Sequence, residues 1–239
     1  PTVLEWNNSM LNAVGLSNPG AVNEVEELKL AVRESPSPVI ASLFGASAQE
    51  FAKVAEKLVE AKPALLELDA SCPNVGSEGQ FAHSCEQASS LVKAVKDVCG
   101  SVPVSIKLAP NVPNLVEIAK AVEKAGADAI TAINTMPAMY IEPEVGKPFL
   151  YNKTGGLSGT AIKPIAVYCV YNICKNVEIP VIGTGGVSSG RDLVEMVMAG
   201  ATAVGIGTAV TTRGEGVFKQ VCVEASEFLK QRGFKSLKE

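Results

Sequence analysis

The sequence predicts an α/β fold, a TIM-type (β/α)8 barrel from which one or two N-terminal strand units are absent. Three observations lead to this prediction. Six short apolar strands alternate with amphipathic helices, and near-continuous apolar strands are typical of a parallel sheet that is buried on both faces. Residues 125–135 resemble residues 199–208, so the strand–helix unit repeats. The last two strands end in glycine-rich turns, where barrels of this class bind phosphate.

The individual elements follow in chain order. Residues 1–6 are predicted to be extended, and residues 11–20 to form a loop rich in turn formers. The predicted strands are 38–44, 64–70, 102–108, 129–134, 179–182 and 203–206, and the predicted helices are 21–34, 48–61, 86–98, 115–125, 161–174, 190–199 and 216–231. Apolar residues at helical spacing, such as Phe51 and Val54, support the helices. Residues 135–156 lack such a pattern and are predicted to form a long functional or mobile loop.

The composition limits the classes of function. The chain has a net charge of -4 and no run of Lys or Arg, which argues against nucleic-acid binding. No apolar run reaches the roughly eighteen residues that span a membrane, and no signal-peptide pattern is found. The six cysteines form no C-x-x-C pair, so no metal site is expected, and reduced thiols in a cytoplasmic protein are predicted. Residues 1–239 are predicted to be one domain that is incomplete at its N-terminus.

The polar turn after the second predicted strand is the first candidate reaction site. The strand 64–70 runs into Ser71-Cys72-Pro73-Asn74. Pro73 fixes its own φ and favours extended geometry at Cys72, so the thiol is held on a stiff turn. A thiolate there could remove a proton from a carbon atom as a general base. The alternative is a half-buried cysteine that packs as a small apolar side chain.

Lys107 is the second candidate, because it stands in a strand between the apolar residues Ile106 and Leu108. Burying an unpaired charge is costly, so the ammonium must find an anion or lose its charge. Two roles remain open. Lys107 could form a structural ion pair with a neighbouring carboxylate such as Asp69, or it could stabilise negative charge that develops on a cofactor.

Glycines and amides complete the candidate site at the carboxyl ends of the strands. Gly183-Thr184-Gly185-Gly186 and Gly207-Thr208 are predicted to form a phosphate cup of backbone amides, with ordinary tight turns as the alternative. Asn12, Asn74 and Asn134 carry amides that both donate and accept hydrogen bonds, which suits a planar heterocycle. Asn12 could instead be a turn residue.

Together these motifs resemble a known family. They occur in family order at 11–16, 71–74, 106–111, 133–135, 154–159, 162–164, 183–186 and 207–209. The chain resembles the class 1 dihydroorotate dehydrogenases over almost its whole length, and residues 150–159 are most similar to subclass 1B. Asp69 departs from the Asn that the family usually has, and Ser42 stands where many members have Asn. The family also extends further at the N-terminus, where a lysine touches flavin and substrate.

The resemblance implies an FMN-dependent enzyme of pyrimidine biosynthesis that oxidises dihydroorotate to orotate. Cys72 matches the catalytic base, which removes the C5 proton while hydride passes from C6 to flavin N5, and Lys107 matches the lysine at the pyrimidine end of the flavin. The matched substrate positions are Asn12, Ala13, Val14, Gly15, Leu16, Asp69, Asn74, Asn134 and Thr135. The matched FMN positions are Ser42, Asp69, Lys107, Ile133, Gly159, Gly185, Gly186, Gly207 and Thr208, the last four at the phosphate.

The resemblance also implies partners, and several alternatives stay open. Subclass 1B suggests a second subunit that carries FAD and an iron–sulfur cluster, and a homo-oligomer is expected. The electron acceptor is not fixed by the sequence. The alternatives are an enzyme for another dihydropyrimidine such as dihydrouracil, a non-redox phosphate-sugar barrel enzyme, and a non-enzymatic subunit that needs a partner.

Overall fold

The computed structural model describes residues 1–71 and 81–239. Within these residues the chain divides into two compact units, each built from several stretches of sequence. The first unit comprises Pro1–Val14, Ala132–Lys175 and Pro180–Glu239, and the second comprises Gly15–Thr131 and Asn176–Ile179. The predicted base Cys72 and the predicted substrate contact Asn74 lie outside the described residues.

Strands and helices alternate along the chain, as the sequence predicted. The strands are β1 (Val3–Trp6), β2 (Ser9–Asn12), β3 (Ile40–Leu43), β4 (Leu65–Leu68), β5 (Val104–Leu108), β6 (Ala129–Ala132), β7 (Met136–Ala138), β8 (Ile141–Glu142), β9 (Lys147–Pro148), β10 (Gly155–Gly159), β11 (Val181–Thr184) and β12 (Ala203–Gly205). The helices are α1 (Ala21–Glu34), α2 (Ala48–Leu58), α3 (Cys85–Lys96), α4 (Leu115–Lys124), α5 (Lys163–Cys174), α6 (Gly190–Met198), α7 (Ala209–Arg213) and α8 (Val217–Gln231), with 3-10 turns at Val59–Ala61, Phe81–His83 and Thr160–Ile162. Each of the six predicted strands overlaps an observed strand, namely β3, β4, β5, β6, β11 or β12.

In the second unit, β3, β4 and β5 pair in parallel and in register. Ser42 lies opposite Glu67, and Glu67 lies opposite Ser105. Successive side chains of a strand point to opposite faces of the sheet. The fully buried Leu66 and Leu68 therefore face one side, and Glu67 faces the other. The polar side chains thus form a row across neighbouring strands.

The helices of the second unit follow from local sequence signals. The Ser47 hydroxyl accepts a hydrogen bond from the backbone N–H of Glu50 at 3.1 Å, which caps the start of α2. Phe51, Ala55 and Leu58 are all buried on one face of that helix. Burial of a side chain such as Phe51 is worth about 1.5–3 kcal/mol.

Among the helices of the described residues, none is long and apolar enough to cross a membrane.

The segment 135–156 of the first unit differs from its prediction. Instead of a loop without regular structure, it carries β7, β8 and β9 and enters β10, which pairs antiparallel with β2 and β7. Leu11, Ala13 and Leu150 form a small buried cluster there. The prediction was wrong because these strands have only two to five residues and take their partners from distant parts of the chain.

The other sheet of the first unit pairs β11 with β12 in parallel. Ile182 lies opposite Ala203, and Gly183 lies opposite Val204. Because parallel strands end at the same edge, the turns that follow β11 and β12 are neighbours. Helix α6 packs on α8, and Gly190 lies so close to the backbone of Ala225 that a Cβ would clash. This packing holds the start of α6 beside the two turns.

Candidate functional site

The turns after β11 and β12 enclose a cavity in the first unit. Its volume is about 270 Å³. The lining residues are Asn8, Gly159, Thr160, Gly186, Val187, Ser188, Gly207, Thr208, Ala209, Thr212 and Arg213. Five glycine and threonine positions were predicted to contact FMN in this unit. Four of them share this cavity, namely Gly159, Gly186, Gly207 and Thr208. The fifth, Gly185, directly precedes Gly186 in the chain. We call this cavity the glycine cup.

The turn at Gly185 and Gly186 leaves no room for side chains. A Cβ on Gly186 would lie 2.7 Å from the Gly159 carbonyl oxygen and 2.7 Å from the Lys163 Cβ. Gly186 also has φ 75°, which disfavours other residues. A Cβ on Gly185 would lie 2.7 Å from the Ala166 Cβ. Only glycine permits this close approach of backbone segments.

Backbone amides of the cup are available to an anion. In the part of the chain that the structure describes, the N–H groups of Gly186, Val187, Gly207 and Thr208 donate to no other protein group. The Thr208 hydroxyl donates to the Ser158 hydroxyl at 2.8 Å, which fixes its orientation. Unpaired amides that converge on one cavity form a typical site for phosphate.

Arg213 brings positive charge to the same cavity. Its guanidinium bonds to the Glu224 carboxylate at 2.5 Å and to the Gln220 side chain at 3.0 Å. It also donates to the backbone carbonyl of Ser188. Arg213 therefore ties the loop after β11 to α8 and places a cation beside the cup.

Asp192 holds the other side of that loop. Its carboxylate accepts hydrogen bonds from the backbone N–H groups of Ser188 at 3.0 Å and Ser189 at 2.8 Å. It also accepts a bond of 2.6 Å from the Lys163 ammonium. Burial by itself would raise the pKa of the Asp192 carboxyl, but the bonds from Lys163 and the two serines lower it to about 2 from its ordinary value of 3.8.

We expect Asp192→Asn to lower the free energy of unfolding by about 2 kcal/mol at neutral pH, because each pKa unit corresponds to about 1.4 kcal/mol. The folded pKa is depressed, so this stabilisation is present above pH 3.8 and is lost as the pH falls towards 2. Urea unfolding of both proteins over a pH series measures the difference. Glu195→Gln is the matched control, since Glu195 bonds the same lysine from a half-exposed position and should cost less than about 1 kcal/mol. A stability gap that stays constant down to pH 2 contradicts the assignment.

The predicted substrate residues of the first unit meet around Gly156. The Asn12 side chain donates to the Gly156 carbonyl oxygen at 3.4 Å, and Gly156 packs so tightly on Thr135 that a Cβ would clash with its hydroxyl. Asn134 is buried, and its amide oxygen accepts the Thr135 N–H at 2.7 Å. Ile133, predicted to contact FMN, donates its N–H to the Thr184 carbonyl oxygen at 2.9 Å. Ala13 is buried in the same unit, and Val14 is exposed.

The second unit holds the remaining predicted residues that the structure describes. A cavity of about 650 Å³ there is lined by residues that include Leu16, Ser42 and Asp69. Gly15, which has φ 84°, directly precedes Leu16 in the chain. The structure therefore brings together within this unit the predicted substrate position Leu16, the predicted cofactor position Ser42, and Asp69, which was predicted to contact both.

Lys107 lies in the same unit, and the carboxylate described beside it is Glu67. The Lys107 Nζ lies 4.0 Å from the Glu67 Oε1. Their side chains are 25% and 15% exposed, so both charges are largely buried. The sequence analysis named Lys107 but missed Glu67. The available signal was a glutamate between Leu66 and Leu68, where an apolar side chain would be expected.

An α/β fold in which unpaired backbone amides surround a glycine-lined cavity is typical of enzymes that bind phosphate groups. The family model described as "Dihydroorotate dehydrogenase" matches residues 1–229. The chain belongs to the dihydroorotate dehydrogenase family. This family has the (β/α)8-barrel fold, is flavin-dependent and oxidises dihydroorotate in pyrimidine biosynthesis, so the predicted family, fold class and oxidoreductase activity are confirmed.

Curated relatives refine the placement within the family. The chain is 48% identical to a protein of Methanosarcina mazei over 240 residues, which covers 100% of this chain and 76% of that protein. It is 48% identical to a protein of Bacillus pumilus over 87% of this chain and 68% of that protein. A protein of Methanothermobacter thermautotrophicus is 45% identical over 100% of this chain and 78% of its own length. All three are named dihydroorotate dehydrogenase B (NAD(+)), catalytic subunit, which agrees with the predicted subclass 1B.

Proposed function

We propose that this chain binds FMN and catalyses the oxidation of dihydroorotate to orotate as the catalytic subunit of a B-type enzyme. The observation that carries the cofactor assignment is the glycine cup, with unpaired amides at Gly186, Val187, Gly207 and Thr208. A phosphate monoester offers acceptor oxygens to those amides. Arg213, whose guanidinium is paired with Glu224, lines the same cavity. The absence of Cβ atoms on the floor admits the phosphate close to the backbone.

The other proposed FMN contacts lie at the ends of strands. Ile133 follows β6, Gly159 ends β10, Ser42 lies in β3, and Asp69 follows β4. Lys107, near the end of β5, supplies a cation where the flavin pyrimidine gains negative charge. FMN, when bound, supplies the acceptor for the hydride that leaves C6 of the substrate. These assignments rest on the family resemblance of each position.

The substrate is held by groups that suit a planar pyrimidine. Amides at Asn12, Asn74 and Asn134 offer both donors and acceptors to its ring, and the Thr135 hydroxyl adds a further polar contact. The segment 13–16 directly follows Asn12 in the sequence and is proposed to complete the binding loop. Cys72 takes the proton from C5, because a thiolate is the strongest base among these groups that is still formed near neutral pH.

The names of the relatives motivate a second subunit. A catalytic subunit of an NAD(+)-linked enzyme needs a route for electrons, and a partner with FAD and an iron–sulfur cluster would supply it. Among residues 1–71 and 81–239, no cluster of three or more His, Cys, Asp or Glu side chains could hold a metal ion. The resemblance to subclass 1B assigns the iron–sulfur centre to this proposed partner. A homo-oligomer of catalytic subunits and a cytoplasmic location complete the proposal.

A visible spectrum tests cofactor and substrate together. The purified chain, supplied with FMN and freed of unbound flavin, should show the flavin bands, and anaerobic dihydroorotate should bleach them. Dihydrouracil, offered in parallel, should leave the bands intact, which excludes the second dihydropyrimidine substrate. Retention of FMN without bleaching by dihydroorotate would refute the substrate, and failure to retain FMN would refute the cofactor site.

A further inference from the structure

The sheet of the second unit carries a polar network that the proposed mechanism does not use. The Thr131 hydroxyl donates to the Glu67 Oε2 at 2.8 Å, and the Ser42 hydroxyl donates to the Glu67 Oε1 at 3.3 Å. The hydroxyls of Ser105 and Thr131 bond to each other at 3.1 Å. Glu67 is thereby held by side chains from β3 and β6, and Lys107 approaches it from β5.

The network fixes the carboxylate more firmly than the ammonium. Two hydroxyls hold the oxygens of Glu67, whereas Lys107 stands 4.0 Å away, beyond hydrogen-bond distance. Within the part of the chain that the structure describes, no side chain accepts a hydrogen bond from Lys107. Its three N–H donors therefore remain available to another acceptor, although its charge is partly balanced by Glu67.

Burial makes this charge balance strong. Two charges at this distance interact more strongly when they are partly buried than when they are in water, because the effective dielectric constant around them is lower. A second anion near Lys107 must compete with Glu67 for the same ammonium. Because Glu67 is held close to Lys107, it reduces the positive electrostatic potential that Lys107 presents to a second anion.

We propose that Glu67 is a positioning residue that acts through Lys107 and limits how strongly the site stabilises a reduced flavin. This inference rests on the proposed function, because it needs the flavin to lie beside Lys107. The carboxylate holds the ammonium in place before the cofactor binds. It then opposes the negative charge that the cofactor gains on reduction. Glu67 and Lys107 thus have effects of opposite sign on the flavin midpoint potential.

The first experiment uses the protein without FMN and therefore does not depend on the proposed function. An amine-selective acylating reagent labels the lysines, and mass spectrometry follows the labelling rate of Lys107. Glu67→Gln should speed this labelling several-fold, because the Lys107 side chain no longer lies beside a fixed carboxylate that holds it in place. Glu60→Gln is the matched control, since Glu60 pairs with Lys57 at 2.8 Å on the surface of the same unit and should leave Lys107 unchanged. Equal labelling of Lys107 in wild type and Glu67→Gln would overturn the pairing.

The second experiment measures the midpoint potential of bound FMN. Glu67→Gln should make the potential more positive, with reduced FMN bound on the order of tenfold more tightly relative to oxidised FMN. Lys107→Met should move the potential in the opposite direction, and Glu67→Asp, which keeps the charge, should stay close to wild type. A potential in Glu67→Gln that is unchanged, or that moves the same way as in Lys107→Met, would overturn the proposal. Failure of the wild type to retain FMN would refute the proposed function alone, and the labelling result would still decide the pairing.

Discussion

Replacing Cys72 with alanine is expected to slow the reduction of bound flavin by dihydroorotate roughly 10²–10⁴-fold, the usual contribution of a general base. The thiolate is proposed to remove the C5 proton, and alanine offers no acceptor for it. The affinity for FMN should stay within about twofold of wild type, because the phosphate is held elsewhere, by the glycine cup. Anaerobic stopped-flow spectroscopy of the flavin band measures the rate.

The other cysteines provide the controls for this experiment. Burial raises the pKa of the Cys169 thiol to about 11, so this thiol stays protonated at neutral pH and is a poor base. Cys222 is exposed on α8, and Cys222→Ala should leave the rate of flavin reduction unchanged. Cys72→Ser should fall between alanine and wild type, since a hydroxyl is a weaker base. A Cys72→Ala protein that reduces its flavin at the wild-type rate would refute the role of Cys72.

Replacing Gly186 with valine is expected to weaken FMN binding on the order of 100-fold or more. Each amide that bonds to a charged group is worth roughly 1.5–3 kcal/mol, and a side chain here displaces the loop that carries two such amides. The Cβ would lie 2.7 Å from the Gly159 carbonyl oxygen, a backbone atom that cannot give way easily. Isothermal titration of the protein with FMN measures the affinity.

Gly146→Ala is the control that separates the effect of a strained backbone from the effect of a side chain that clashes with its neighbours. Gly146 has φ 66°, close to the 75° of Gly186, but a Cβ at Gly146 meets nothing within 4 Å. Both substitutions cost about 1–2 kcal/mol for the left-handed backbone, so thermal unfolding should show a loss of stability in each. Only the Gly186 variant should lose FMN. Equal FMN affinity in Gly186→Val and wild type would mean that the phosphate does not bind in the cup.

Those residues of the candidate site that stand in a recognisable local sequence pattern could be predicted from the sequence. The glycines at 185–186 and at 207 predicted a phosphate cup, and the structure places Gly186 and Gly207 around one cavity. A close approach to neighbouring atoms is observed at Gly185 and Gly186, whereas a Cβ at Gly207 would meet nothing within 4 Å. Lys107 stood out because a charge in an apolar strand requires a partner. The identity of that partner was not predictable, since Asp69 and Glu67 both precede the polar turn in the same strand region.

The amino-acid sequence alone determined the alternation of strands and helices, because the spacing of apolar residues acts over a few residues. It also determined the family, through short motifs in order. Only the tertiary structure decided that Asp192 accepts hydrogen bonds from the backbone amides of Ser188 and Ser189, whereas those of Gly186 and Val187 have no acceptor in the described part of the chain. It likewise decided that Glu67 faces Lys107. Such pairings depend on strand register and on contacts between residues far apart in the chain, and no local pattern encodes them.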